Sequence, residues 1–316
     1  MKGAVPLLRY AIKRIGYAVV TLLIVVTITF FLMRSIPGDP LSHRAQALPE
    51  QTRANYYAKY GYDKPLFTQY TMYMKNFLRG DLGESILYPG RSVSQTIAKT
   101  SPISGAIGGI ALVIGFGIGI TLGIIAALNK NRWPDYLVMF IAILGTTVPV
   151  FVLAALLQYF VAVKLHWLPS SGWGQTRHAI MPIMVLCLGP IASFARYLKA
   201  SMLDTLSQDY ILTAQAKGLS RRAVILKHVL RNSMLPIVTI LAGRIVGVFT
   251  GSFLVERMFG IPGVGFYFVN SVTNKDYSMI LGTTVFFAAL FVFAQLAVDF
   301  VYVLVDPRIR ITPESR

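Results

Sequence analysis

Six long apolar runs, separated by short polar or basic stretches, dominate the chain; they fall at residues 16–32, 103–128, 137–163, 179–194, 235–255 and 279–305. A helix rising about 1.5 Å per residue needs roughly 20 apolar residues to cross a bilayer core. The pattern therefore predicts an all-α integral membrane protein with about six transmembrane helices. The fourth run holds Pro182, Gly189 and Pro190, which a membrane helix tolerates only where neighbours re-satisfy the freed backbone groups. The first run is too long and too firmly flanked to read as a cleaved signal peptide.

Composition agrees with the pattern. Hydrophobic residues make up 55% of the 316, charged residues 14%, and the mean hydropathy is +0.60, values foreign to a soluble domain of this size. The net charge of +17 invites a nucleic-acid reading, but the basic residues sit at the ends of the apolar runs and form no aromatic-interleaved basic face. They instead orient the chain. With the N-terminus inside, sixteen Lys and Arg lie in inner segments, and the two short outer loops hold only Lys164, Arg177, Arg257 and Lys275. Both termini are expected in the cytoplasm.

The expected organisation is a cytoplasmic N-terminus and first helix (1–33), an extracytoplasmic segment (34–100), a five-helix core (101–306) that includes a cytoplasmic loop at 197–234, and a cytoplasmic tail (307–316). The extracytoplasmic segment is far longer than a turn requires. Its aromatic-rich stretches 55–62 and 67–78, with Pro65 between them, predict short helices at the membrane surface. They suit either a docking platform or a packed cap.

Few residues offer chemistry. The single cysteine, Cys187, lies in the fourth run, so no intrachain disulfide can form, and His43, His166, His178 and His228 are scattered without metal-ligand spacing. No phosphate-binding Gly-x-x-x-x-Gly-Lys loop, nucleophile elbow or His-Glu-x-x-His is present. Gly115, Gly117, Gly119 and Gly123 superficially imitate a nucleotide fingerprint, but they lie inside the second run. Spaced four apart, Gly115, Gly119 and Gly123 predict close helix packing instead. Ionisable residues in or at the ends of runs are Arg244, Glu256, Arg257 and Asp299. Charge near mid-membrane is costly and usually faces a bundle interior or wet cavity, so Arg244 and Asp299 are candidates to pair or to line a pathway.

The segment 209–236 is the most informative. Residues 210–217 predict a short helix with Tyr210, Thr213, Ala214 and Lys217 at neighbour spacing. Gly218 closes it, and Ser220 caps a second helix that starts at Arg221 and is expected to gather Leu226, Val229 and Leu230. Arg221, Arg222, Lys227 and Arg231 add positive charge. Two short helices meeting at a glycine make a rigid cytoplasmic protrusion.

This loop resembles the cytoplasmic signature of bacterial ABC importer permeases, Glu-Ala-Ala, three residues, Gly, nine residues, then Ile-x-Leu-Pro. Here His228-Val229-Leu230-Arg231 follows Gly218 after nine residues; Leu212-Thr213-Ala214 stands for Glu-Ala-Ala, Arg231 for the proline, and Leu235-Pro236 comes later. Those departures resemble the oligopeptide, dipeptide and nickel branch, first permease subunit. So do Ile36-Pro37-Gly38-Asp39-Pro40, Gly80-Asp81-Leu82-Gly83-Glu84-Ser85, Phe259-Gly260-Ile261-Pro262-Gly263-Val264-Gly265 and Asp306-Pro307-Arg308-Ile309-Arg310.

The resemblance implies a type I ABC importer permease fold in a bacterial inner membrane and a non-catalytic role. The chain would form half of a pathway for short peptides, with a homologous second permease, two cytoplasmic ATPase subunits that bind ATP and Mg, and an extracytoplasmic substrate-binding protein. This chain would bind no cofactor or metal. Tyr210, Thr213, Ala214, Lys217, Gly218, Arg221 and Arg222 would couple to the ATPase. Nickel complexes, glutathione or another small solute are alternative cargoes. A self-contained secondary transporter or channel would need a carboxylate relay, which Asp299 alone does not make; a purely structural subunit is the third class.

Overall fold

The computed structural model describes residues 4–35, 49–61, 63–88 and 90–305. In order these form α1 (Ala4–Ser35), α2 (Glu50–Tyr60), α3 (Leu66–Phe77), α4 (Val93–Leu128), α5 (Trp133–Thr147) and α6 (Val150–Leu157) with a π-helical extension Gln158–Lys164. There follow α7 (Thr176–Leu206), α8 (Asp209–Ala216), α9 (Arg221–Val224), a π-helical stretch Ile225–Leu230, α10 (Arg231–Ser233), α11 (Leu235–Phe259), α12 (Val264–Thr273) and α13 (Tyr277–Val305). The fold is all-α. Among the described residues four helices, α1, α4, α7 and α13, are long and apolar enough to cross a membrane, and five spans result if α5 and α6 count as one.

The third expected span, 137–163, is not one helix. It breaks between Thr147 and Val150 and bends by 102°. Pro149 is the cause: a residue before proline is pushed out of the helical region, and Val148 is extended at φ −76°, ψ 124°. The fourth expected span is longer than its apolar run, because α7 continues through residues 197–206, which had been assigned to the cytoplasmic loop. It carries Pro182 and Pro190 without interruption. The fifth run forms the continuous 25-residue α11. The motifs at 36–40 and 306–310 lie outside the described residues, as does His43.

The chain divides into two compact units, residues 1–105 with 260–293 and residues 106–259 with 294–316. In the first, residues 50–77 form α2 and α3 with Pro65 immediately ahead of α3. Gly61, at φ +65°, closes α2 by donating its N–H to the Tyr57 carbonyl. Tyr70, Tyr73 and Phe77 of α3 turn inward while Phe67 is exposed: Tyr70 stacks on Phe31 with ring centres 5.4 Å apart, Tyr73 lies 5.5 Å from Phe30, and the Tyr70 hydroxyl meets Thr27 Oγ1 at 2.8 Å. Val26, Phe30, Leu281 and Val285 complete this core. Burial pushes the Tyr73 phenol pKa up, and its hydroxyl is buried with no hydrogen-bond partner among the described residues.

Asp276 organises the other end of this unit. Fully buried, it accepts hydrogen bonds from the Ser85 hydroxyl and from the amides of Ile86 (3.2 Å), Leu87 (3.1 Å) and Met279 (3.2 Å). One carboxylate thus caps the start of α13 and holds the loop before α4. The motif at 80–85 is the local frame of that loop: Asp81 Oδ1 accepts from Gly83 N at 2.9 Å, and Glu84 pairs with Ser92 in an isolated antiparallel bridge. The glycine-rich turn at 260–263 is tied down when Val264 N–H donates to Ser104 Oγ at 2.9 Å.

In the second unit α4 lies against α7 through the predicted glycine face. A Cβ on Gly115 would meet Pro190 Cβ at 2.6 Å, one on Gly119 would meet Phe194 Cβ at 2.8 Å, and one on Gly123 would meet Leu198 Cβ at 3.0 Å. Gly117, on another face, has nothing within 4 Å. Small residues at this spacing let two backbones approach closely where lipid offers no hydrophobic contrast.

Candidate functional site

The element 209–233 is a helix, a glycine turn and a second rod. Gly218 has φ +79°, a left-handed conformation that costs a side-chain-bearing residue about 1 kcal/mol or more. Its N–H donates to Gln215 O at 2.9 Å, and Leu219 N–H reaches Ala214 O at 3.4 Å, so the orphan carbonyls at the end of α8 are satisfied. Ser220 caps α9 by accepting from Ala223 N at 3.4 Å.

Burial divides the element into two sides. Ile211, Ala214, Val224 and Val229 are buried in one cluster with Phe194, Leu198 and Met202 of α7, Ala127 of α4 and Ile237 of α11. Tyr210, Thr213, Lys217, Gly218, Arg221 and Arg222 are exposed. Ala214 therefore faces inward, apart from the other three residues expected on its face. Leu226 is also displaced: expected to join Val229 and Leu230, it is 62% exposed. The reason is the π-helical stretch Ile225–Leu230. Its i→i+5 bonding puts Val224 and Val229, five apart, on the buried side and rotates Leu226 outward.

Further bonds fasten the element to α7. Ser233 donates to Ser201 O at 3.2 Å and meets Thr205 Oγ1 at 3.0 Å; within the element, Asn232 Nδ2 donates to the Tyr210 hydroxyl at 3.0 Å and ties α10 to α8. Beside them Lys199 of α7 forms an ion pair with Asp135 of α5. Asp135 is buried and also accepts from Asn131 N at 3.1 Å, so it ties the loop between α4 and α5 to α7. Sequence reading passed over this pair. An acidic residue opening an apolar run, with a lysine on a later helix, was the available signal, but only the fold brings them together.

Arg244 lies on α11, half-buried, and donates to the hydroxyl of Ser193 on α7. It lines a cavity of about 160 Å³ at the break between α5 and α6, with Gly145, Val148, Val150, Leu153 and the Val185–Pro190 stretch of α7 around it. The backbone of Asp299 lies in α13, and its side chain lies outside the described residues. Glu256 is buried and accepts from Ser252 Oγ at 2.7 Å, whereas Arg257 is exposed.

Comparison with known proteins accounts for this layout. Residues 119–311 match the model of the binding-protein-dependent transport system inner membrane component, and residues 7–88 match the N-terminal model of the membrane component of such systems. The dipeptide transport system permease protein DppB of Bacillus subtilis (strain 168) is 42% identical over 96% of this chain and 98% of its own length. The oligopeptide transport system permease protein OppB of Escherichia coli (strain K12) is 40% identical over 96% of this chain and all of its own length. Among solved structures, the inward-facing MetNI methionine ABC transporter superposes with a TM-score of 0.53 at 16% identity, covering 67% of this chain and 97% of that one. An amino acid ABC transporter solved with histidines gives a TM-score of 0.51 at 11% identity, covering 68% and 95%. At such identities the structures speak to fold alone. The two family models and the near full-length relatives show that the chain belongs to the inner membrane components of binding-protein-dependent transport systems.

Proposed function

We propose that this chain is the first permease subunit of an ATP-driven importer, forming half of a pathway for short peptides delivered by an extracytoplasmic binding protein. Its partners are a homologous permease and two cytoplasmic ATPase subunits, which bind ATP and Mg. Both termini are cytoplasmic in this reading, in keeping with the excess of Lys and Arg in the inner segments. The chain catalyses nothing itself; it converts movement of its partners into access for the solute.

The observation that carries the coupling role is the two-sided element 209–233. Its underside is locked into the cluster with α7, yet its outer side presents Leu212, Leu219 and Leu226, each at least 40% exposed, beside Tyr210, Arg221 and Arg222. Apolar side chains grouped on a basic cytoplasmic surface suit a protein partner, and the ATPase cleft is the one this family supplies. Closure of the ATPase pair then displaces the element and, through it, the spans, a rigid-body switch. Nothing chemical is asked of Gly218 beyond its left-handed backbone.

The test is to purify the chain with the products of its neighbouring genes and to measure ATPase activity in lipid discs with binding protein loaded with short peptides. The reading expects peptide-dependent stimulation, and its loss in Gly218→Pro, because proline holds φ near −65° where +79° is needed. Absence of any ATPase association would refute the importer role. Association without a response to peptides would refute the peptide cargo.

A further inference from the structure

We infer that Arg244 is a specificity-determining residue that takes the free carboxylate of the solute as it passes the break between α5 and α6; the inference rests on the peptide reading above. A guanidinium offers five N–H donors in a planar fork suited to a carboxylate. Among the described residues Arg244 has one side-chain hydrogen-bond partner, the neutral hydroxyl of Ser193, and no carboxylate pairs with it. The rest of its cavity is lined by Gly, Val, Leu and Pro. A cation this deep in a membrane protein is retained where an anion or a wet pathway compensates it, and the lining supplies no anion.

Depth selects which anion. Arg244 lies nine residues past Leu235, the first residue of α11, or about 14 Å along the helix axis. That is roughly half of a 30 Å hydrocarbon core, beyond the phosphates of the lipid headgroups. A solute that enters from the aqueous side and carries its own carboxylate can reach it. The broken helix supports the same conclusion, since irregular backbone at membrane depth is tolerated where it is buried in protein or lines a cavity, and Val148 and Val150 at the break do line this one. Ser193, fully buried, fixes one edge of the fork and leaves the others for the solute.

The experiment compares uptake of one short peptide with uptake of its C-terminally amidated form by the complete importer in proteoliposomes. Binding protein is saturated with each peptide in turn, so that its own preference drops out. Wild type is expected to favour the free acid at least tenfold, the scale of a charge-assisted hydrogen bond at low dielectric. In Arg244→Gln, which keeps a donor for Ser193 but no charge, the ratio is expected to fall to near one; in Arg244→Lys it is expected to recover in part. Unequal uptake in wild type that persists unchanged in Arg244→Gln would overturn the assignment and leave Arg244 as a strut between α11 and α7. Equal uptake of both peptides by wild type, a result that needs no variant to fold, would overturn it as well. Uptake of neither peptide would remove the peptide reading, and this assignment with it.

Discussion

Asp276→Ala tests whether one carboxylate holds the outer loop to α13. The wild-type side chain is fully buried and accepts from the Ser85 hydroxyl and from the amides of Ile86, Leu87 and Met279. Alanine removes the cap on α13, worth about 1 kcal/mol. It also takes the acceptor from the Leu87 amide and the Ser85 hydroxyl, both in buried contacts, at about 1–3 kcal/mol for each buried polar group left without its partner. Water entering the vacated space offsets part of this, so the net loss is about 3 kcal/mol, or roughly a hundredfold in a local opening constant. Hydrogen exchange on the protein in lipid discs reads this directly: the amides of Ile86, Leu87 and Met279 should exchange about a hundred times faster, while the amides of α7 should not change. Asp276→Asn, which keeps one acceptor oxygen, should fall between. Exchange in Asp276→Ala within about threefold of wild type at all three amides would refute the latch.

Three further outcomes follow from other contacts. Gly119→Ala should cost about 1–3 kcal/mol, because its Cβ meets the Ile191 carbonyl oxygen at 2.9 Å as well as Phe194, whereas Gly117→Ala should be close to neutral; thermal midpoints in detergent compare them. Lys199→Met should destabilise by about 3–5 kcal/mol, since it leaves Asp135 buried without its cation, and adding Asp135→Asn should restore most of that while keeping an acceptor for Asn131; unfolding midpoints of the three variants check it. Tyr73→Phe should leave stability unchanged or raise it by about 1 kcal/mol, because the hydroxyl is buried without a partner. Since the folded phenol resists ionisation, wild-type stability should fall as pH rises above about 10, where the unfolded tyrosine loses its proton. The slope of unfolding midpoint against pH in that range should be shallower in Tyr73→Phe.

What the sequence made legible was whatever depends on neighbours along the chain. The glycine stop at Gly218, the cap at Ser220 and the small-residue face of α4 all follow from spacings of a few residues and form as expected, and helices flank Pro65 as expected although the first begins at Glu50 rather than 55. The misses share a cause as well. Hydropathy averaged over a window cannot see that Pro149 forces Val148 extended, so a broken pair read as one span. It also ends an apolar run where charges begin, although α7 continues as helix past Arg196 and Lys199 because its other face packs on α4 and α5. Helical periodicity of 3.6 placed Leu226 with Val229, and the π-helical register undid it. Asp276 drew no notice because three of its four partners, Ser85, Ile86 and Leu87, lie about 190 residues away.

α7 joins the features of the second unit into a single mechanical argument. Its C-terminal half, at Leu198 and Met202, is the floor on which the element 209–233 sits. Lys199 fixes it to α5, the glycine face of α4 fits its middle, its Val185–Pro190 stretch forms a wall of the Arg244 cavity, and its Ser193 accepts a hydrogen bond from Arg244. Close-packed interiors transmit strain rather than absorb it. A displacement of the element 209–233 therefore cannot be taken up locally, since Ile211, Ala214, Val224 and Val229 are all held in the same cluster as α7. It must move α7, and moving α7 alters the cavity wall against which Arg244 is held.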